Sequence, residues 1–335
     1  MLRLILALTL SVVAMLLIEP RALVGLRKFR HTVYALGPAH QDKQGTPTMG
    51  GLMFVGVACS LALLLHGKWF GLADMGLALV VFSLLSMLIG FLDDYRKVAR
   101  KQNLGLLWWQ KLLGQVLLGL LFSLYCYVHP NVGASIRIPF TNAELHLGWW
   151  YVPLMTLVIM FMINSANLQD GLDGLLSSVS ATGNFAWAAL ALLTDAAMRA
   201  SNQFLAGNAF NVAVFALALA GACIGFLWVN FHPAKVFMGD TGSMFIGGAT
   251  VGMAMLLRLP ILLLLVAFTM IMSSVSVILQ RTYFKLTHGK RIFRMSPIHH
   301  HFEKLLMTEP QIVAMYTAVT AILSVIAVLA IGWVA

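Results

Sequence analysis

Apolar stretches of membrane-spanning length recur from one end of this chain to the other. Crossing the hydrocarbon core of a bilayer takes roughly 20 consecutive apolar residues per helix. Every backbone N–H and C=O in that layer must be satisfied within the chain, which leaves only helices and closed barrels. A barrel would show short segments of alternating polarity, and none are evident. Composition agrees with helices: of 335 residues, 60% are hydrophobic and 10% charged, whereas a soluble domain is about a quarter charged. Mean hydropathy is +0.87. The expected fold class is all-α, a polytopic integral membrane protein of about ten transmembrane helices.

The spans are expected near residues 2–18, 49–65, 75–92, 108–128, 149–166, 174–193, 207–229, 242–257, 260–280 and 311–334, with Gly- and Ser-rich starts at the sixth and eighth. The first, "MLRLILALTLSVVAMLLIEP", has no small-residue cleavage site before Glu19 and reads as a helix rather than a removed leader. With both termini on the outer side, seventeen Lys and Arg fall in inner segments. Only five, Arg3, Lys68, Arg137, Arg199 and Arg258, fall outside. That asymmetry sets the orientation by the positive-inside rule, so the net charge of +10 marks a membrane side and not a nucleic-acid surface. A single transmembrane domain, 1–335, is expected, with cytoplasmic loops at 19–48, 93–107, 167–173, 230–241 and 281–310. Cys59, Cys126 and Cys223 lie in apolar runs and read as small core residues without disulfide or zinc spacing. Outside, "GASIRIPF" and "AELHLGWW" within 129–148 suggest a small hairpin. No internal repeat of the kind found in inverted-topology transporters is visible.

Nine of the twelve acidic residues share the inner side: Glu19, Asp42, Asp93, Asp94, Asp170, Asp173, Asp240, Glu303 and Glu309. Acidic residues contribute little to topology, so their crowding there needs another cause. In "FLDDYRKVARK", Asp93 and Asp94 close an apolar span about one turn before Lys97. A carboxylate at a helix C-terminus opposes the macrodipole. The pair is either a set of solvated end charges neutralised by Arg96 and Lys97, or part of a Mg²⁺–phosphate site, which needs such oxygen ligands.

In "NSANLQDGLDGL", Asp170 and Asp173 lie three apart, each followed by glycine. They share one face if a helix starts there, although one of them capping the sixth span is the simpler reading. In "VNFHPAKVFMGDTGSMFIGG", Asp240 stands in a Gly-flanked turn that a capping aspartate also explains. Asn230, His232, Lys235 and Phe237 precede it, an amide, an imidazole, a cation and a ring suited to a nucleotide. In "DKQGTPTMGG", Pro47 near the start of the second helix is ordinary, and it leaves Lys43 and Thr48 to face a phosphate at that N-terminus. His299, His300 and His301 in "MSPIHHHFE" follow a basic run. Three adjacent residues cannot converge on one zinc ion from a helix, where i and i+4 are used. They read as phosphate and hydroxyl donors, some of them charged near pH 7.

Taken in order, "KQGTPTMGG", "FLDDYRKV", "NLQDGLDGL", "NFHPAKVFMGDTGS" and "MSPIHHHFE" resemble the polyprenyl-phosphate N-acetylhexosamine-1-phosphate transferases over about residues 19–335. "GTPTMGG" and "PIHHHFE" are similar to its muramoyl-pentapeptide branch. Gln169 departs from the pattern, which has Thr before the aspartate.

The resemblance implies ten membrane helices, a homodimer in the bacterial inner membrane, and an active site facing the cytoplasm. It implies Mg²⁺ as cofactor, with UDP-MurNAc-pentapeptide and undecaprenyl phosphate as substrates. By motif matching, Asp240 becomes the metal ligand, and Asp93 the base or lipid-phosphate partner beside Asp94. Asp170 joins this catalytic set, with Lys97, His299, His300 and His301 holding phosphates together with Lys111. Lys43, Thr48, Asn167, Leu172, Asp173, Asn230, Phe237 and Gln280 become the remaining substrate-binding residues, with Phe237 stacking on uracil. Two other readings stand beside this one. A sister transferase would take UDP-GlcNAc or a related donor, and a secondary transporter would carry ionisable residues near the bilayer midplane.

Overall fold

The computed structural model describes residues 1–26, 43, 45–69, 71–100, 104–141 and 143–332. Of the inner-side charges counted above, Arg27, Lys28, Arg30, Asp42 and Lys101 lie outside them. All ten expected segments are helical. They are α1 (Leu2–Leu26), α2 (Gly51–Leu64), α3 (Met75–Arg100), α4 (Trp108–Val128), α5 (Tyr151–Gln169), α6 (Leu175–Met198), α7 (Gln203–Asn230) and α8 (Gly239–Leu256), then the pair α9 (Leu263–Val266) and α10 (Phe268–Leu286), and last α12 (Glu309–Gly332), preceded by the short α11 (Ile298–Glu303). Seven of these are long and apolar enough to cross a membrane. The α9–α10 unit makes an eighth candidate if it counts as one span, but it is bent by 87°. At 14 residues, α2 is shorter than a full crossing. The structure therefore supports a polytopic all-α membrane protein with seven or eight candidate spans among the described residues.

Several stretches expected to be loops are helical. α3 continues through the expected 93–107 loop as far as Arg100. Asp93 and Asp94 therefore lie inside the helix, and the macrodipole no longer opposes them as it would at its end. α1 continues to Leu26, with Pro20 inside it. α5 extends to Gln169, so Asn167 sits in its last turn. The expected hairpin in 129–148 is present: β1 (Ser135–Arg137) pairs antiparallel with β2 (Glu144–His146). The Arg258 side chain joins it through the Ser135 carbonyl and Glu144.

α7 and α8 form the centre of the bundle. α7 packs on α1, α2 and α6, while α8 packs on α3, α5 and α2. Every residue of α8 from Thr241 to Leu256 is buried. A helix that is covered on all sides needs neighbours that come close, and Gly90 of α3 provides this. A Cβ on Gly90 would overlap the backbone carbonyl of Asp240. This contact seats the N-terminus of α8 against the aspartates of α3. Gly90→Ala is expected to lower the thermal unfolding midpoint in detergent, at a cost on the order of 1–3 kcal/mol from overpacking. Gly56→Ala, where a Cβ meets nothing within 4 Å, should leave the midpoint unchanged.

Candidate active site

The helix ends of α3, α4, α5 and α8 bring together one carboxylate–lysine centre. Asp93, Asp94 and Asp240 each offer an oxygen within 4.8 Å of the others. Three like charges at this spacing repel, and two lysines offset them. Lys97, one turn beyond Asp93 on α3, lies 2.5 Å from Asp93 Oδ2, 3.8 Å from Asp94 Oδ1 and 3.1 Å from Asp240 Oδ2. Lys111 reaches from α4 to Asp240 Oδ2 at 2.9 Å. The other Asp240 oxygen accepts from the Asn167 amide at 2.7 Å, and Asn167 also donates to Ser243 Oγ at 2.9 Å.

Each α3 aspartate is fixed by further donors. Asp94 Oδ2 accepts from the Thr241 N–H at 2.8 Å and from its hydroxyl at 2.7 Å. Asp93 Oδ1 accepts from the Leu106 N–H at 2.8 Å. Asp240 sits in the first turn of α8 with no side-chain cap bond at that terminus. It does not cap the helix, but its charge is favoured there by the helix dipole.

A second cluster forms around Asp173. Lys43 Nζ lies 2.8 Å from Asp173 Oδ1 and 2.8 Å from Glu309 Oε1. Asp173 Oδ2 accepts from the Ala234 N–H at 3.0 Å and faces His232 Nδ1 at 3.3 Å. Glu309 Oε2 in turn accepts from the Asp173 N–H at 3.0 Å. Burial alone would lower the Lys43 pKa, but its bonds to Asp173 and Glu309 outweigh that and hold it above the ordinary lysine value. The N-cap of α6 is Gly174, at φ +76°, without a side-chain cap bond. The idea that Asp170 or Asp173 caps α6 is thus corrected: a residue without Cβ takes the left-handed position, and Asp173 turns to the cluster.

Asp170 connects the two groups electrostatically. Its carboxyl is pushed up to about 8, first by burial and then by the charges of Asp240, Asp94 and Asp173.

Other expected residues are placed differently. Pro47 does not start α2. Its carbonyl accepts from the Phe237 N–H at 2.9 Å, while the Phe237 carbonyl accepts from Gly50 at 2.9 Å. These bonds tie the 47–50 strap to the turn before α8, and Thr48 packs against Gly239 there. Asn167 belongs to the Asp240 centre rather than to the Asp173 cluster. Asn230 is buried, accepting from Ser177 and donating to the Val236 carbonyl. The Leu172 side chain is buried in the apolar core. Gln280 bonds to the backbone of Ile292 and Phe293, bracing a loop. Gln169 is fully buried, with neither amide atom partnered.

The histidines divide by burial. His299 is fully buried, and a Cβ on Gly171 would collide with its Nε2. Burial and then the neighbouring His300 lower its pKa to about 3, so it is neutral at pH 7 and is not one of the charged imidazoles. His300 bonds to Glu303, and His301 Nδ1 accepts from the Arg294 N–H at 3.1 Å. Sequence reasoning missed Glu309 as a site residue. An acidic residue in the first turn of a helix is commonplace, and nothing local marks it as reaching Lys43 across 266 positions.

The donor set of the first centre suits a magnesium ion. Mg²⁺ takes hard oxygen ligands, commonly one or two carboxylates plus phosphate, and three carboxylates meet here with only ammonium groups between them. The centre as a whole can hold a divalent cation and neutralise phosphates at a boundary of the apolar bundle.

Comparison with known proteins agrees with this chemistry. The glycosyl transferase family 4 pattern matches residues 76–258, and phospho-N-acetylmuramoyl-pentapeptide-transferase signature 1 matches residues 43–55. The chain is similar to the phospho-N-acetylmuramoyl-pentapeptide-transferase of Bacillus velezensis, with 41% identity over 321 residues covering 95% of this chain and 94% of the relative. It is 42% identical over 308 residues to that of Bacillus subtilis strain 168, covering 91% and 90%. It is 38% identical over 341 residues to that of Halalkalibacterium halodurans, covering 99% and 98%. The helical bundle is thus that of a membrane-embedded glycosyl transferase of family 4. Within that family, the chain belongs to the phospho-N-acetylmuramoyl-pentapeptide transferases.

The raised Asp170 pKa gives a signed prediction. A carboxyl whose folded pKa lies above its unfolded value adds stability below the unfolded value, and this is lost as pH rises through the folded one. Between about pH 4 and pH 8 the wild type, free of divalent ions, should therefore lose stability that Asp170→Asn keeps. The expected difference at pH 8 is on the order of 1–3 kcal/mol after solvent screening, vanishing at pH 4. Thermal unfolding in detergent at both pH values measures it.

Proposed function

We propose that the centre around Asp93, Asp94 and Asp240 transfers phospho-MurNAc-pentapeptide from UDP-MurNAc-pentapeptide to undecaprenyl phosphate. The products are undecaprenyl-diphospho-MurNAc-pentapeptide, which is lipid I of peptidoglycan synthesis, and UMP. One observation carries this reading: three carboxylates within 4.8 Å of one another, held by Lys97 and Lys111 from two different helices.

A phosphate oxygen of the lipid attacks the sugar-bearing phosphorus. The new P–O bond forms as the bond to UMP breaks, and the electron pair leaves with UMP. One diphosphate replaces another, so the barrier lies in bringing two anions together and offsetting their charge. Asp240, with Asp93 and Asp94, would hold Mg²⁺, which supplies positive charge to the diphosphate and the departing UMP. Lys97 and Lys111, now paired with Asp240, are in reach to pair with phosphate oxygens instead. Asp93, fixed by the Leu106 N–H, orients the lipid phosphate, which is already mostly ionised near pH 7 and needs little proton removal. Asn167 holds Asp240 in its rotamer.

Direct attack fits better than a covalent aspartyl route, because an aspartate nucleophile would add a third anion to the repulsion. Lys43, Asp173, His232 and Glu309 form the neighbouring donor-binding region, with Phe237 and the 47–50 strap beside it. The cytoplasmic orientation rests on the excess of Lys and Arg at this end of the spans, and a homodimer belongs to the same reading. A transporter is disfavoured by charges gathered at one end of the helices rather than at their middle.

Asp240→Asn is expected to cut UMP release by about a hundredfold or more, with donor binding and the melting temperature near those of the parent. Chelation of divalent ions should abolish release, and Mg²⁺ should restore it. With UDP-GlcNAc in place of UDP-MurNAc-pentapeptide, release should stay at background. Full activity in Asp240→Asn would remove its assigned role.

A further inference from the structure

Beyond the transfer centre, the end of α10 lines a cavity of about 370 Å³. Arg281 and Lys285 lie one turn apart on α10 and face it together. Arg291 enters from the following loop, its guanidinium 6.0 Å from the centre of the Phe284 ring. That loop is braced by Gln280, whose Oε1 accepts from the N–H groups of Ile292 at 3.2 Å and Phe293 at 2.9 Å. The three cations are thus brought to one cavity by a helix and a pinned loop.

Charge pairing separates these cations from the lysines of the transfer centre. Lys97 and Lys111 both lie against Asp240. No acidic side chain lines the α10 cavity, and among the described residues Arg281, Lys285 and Arg291 have no carboxylate partner. Three uncompensated positive charges around a cavity make a site for an anion, and phosphate suits the planar guanidinium groups.

The surroundings narrow the ligand. Ile278, Leu279, Phe284 and Leu286 of α10 are exposed, as is Met295 across the cavity. A free phosphate makes no use of such apolar surface. A phospholipid does: its headgroup sits among the cations at the membrane interface while its chains lie along the apolar side of the helix. We propose that the α10 cavity binds the headgroup of an anionic membrane phospholipid, separately from the lipid substrate. The ligand braces α10 and its loop, which leads into α11 and His299.

The test uses the full chain in neutral detergent, with bound lipid counted by native mass spectrometry. Phosphatidylglycerol should bind about tenfold or more tightly than phosphatidylcholine, and less tightly as salt rises. The combined Arg281→Gln, Lys285→Gln and Arg291→Gln variant should lose that preference, while Arg281→Lys, Lys285→Arg and Arg291→Lys together should keep it. Should the combined variant fail to fold, Arg291→Gln alone, at an exposed loop position, should weaken phosphatidylglycerol by about threefold. Unchanged phosphatidylglycerol binding in the Gln variants would overturn the proposal. So would displacement of the bound lipid by inorganic phosphate at comparable affinity, which would make the cavity a simple anion site. A raised KM for undecaprenyl phosphate in the Gln variants, with competition between the two lipids, would assign the cavity to the acceptor and likewise overturn it.

Discussion

Burying carboxylates in a largely apolar chain is the constraint on which this structure turns. An unpaired charge removed from water costs several kcal/mol, so Asp93, Asp94 and Asp240 can share one site only with cations beside them. Lys97 and Lys111 meet that demand from α3 and α4, and Asn167 and Thr241 complete it with amide and hydroxyl bonds. The requirement sets the positions of four helices relative to one another. Gly90 lets α8 come near enough to α3 for its first turn to present Asp240.

The same compensation underlies the proposed transfer. In the proposed reaction Lys97 and Lys111, which balance the aspartates, would turn to phosphate oxygens once a divalent ion engaged the carboxylates. Asp170, sensing both Asp240 and Asp173, links the Asp240 centre electrostatically to the Lys43 cluster. In the proposed reaction, the apolar flanks of the helices would keep the lipid acceptor beside these charges.

Much of this was legible along the chain. Apolar runs located the helices, seven or eight of which among the described residues are long and apolar enough to span, because the hydropathic pattern of a membrane helix depends on no distant contact. Short polar motifs identified Asp93, Asp94, Asp170, Asp173, Asp240 and the lysines as candidate chemistry. Helix ends were misjudged where polar residues continued a helix, as from Asp93 to Arg100 and at Asn167, since burial of these groups against other helices replaces the water that their polarity suggests. The neutrality of His299 was also out of reach. His299 and His300 are neighbours in sequence, yet one is packed against Gly171 and the other bonds to Glu303.

The sequence by itself determined that the chain is helical and membrane-embedded and which polar groups are available for chemistry, because length, hydropathy and residue type are local properties. Only the tertiary structure decided which of those groups meet. Glu309 joins Lys43 and Asp173, Asn167 serves Asp240, and Leu172 and Asn230 turn inward. Charge compensation acts through space, and partners more than a hundred residues apart leave no mark on one another's neighbourhood in the sequence.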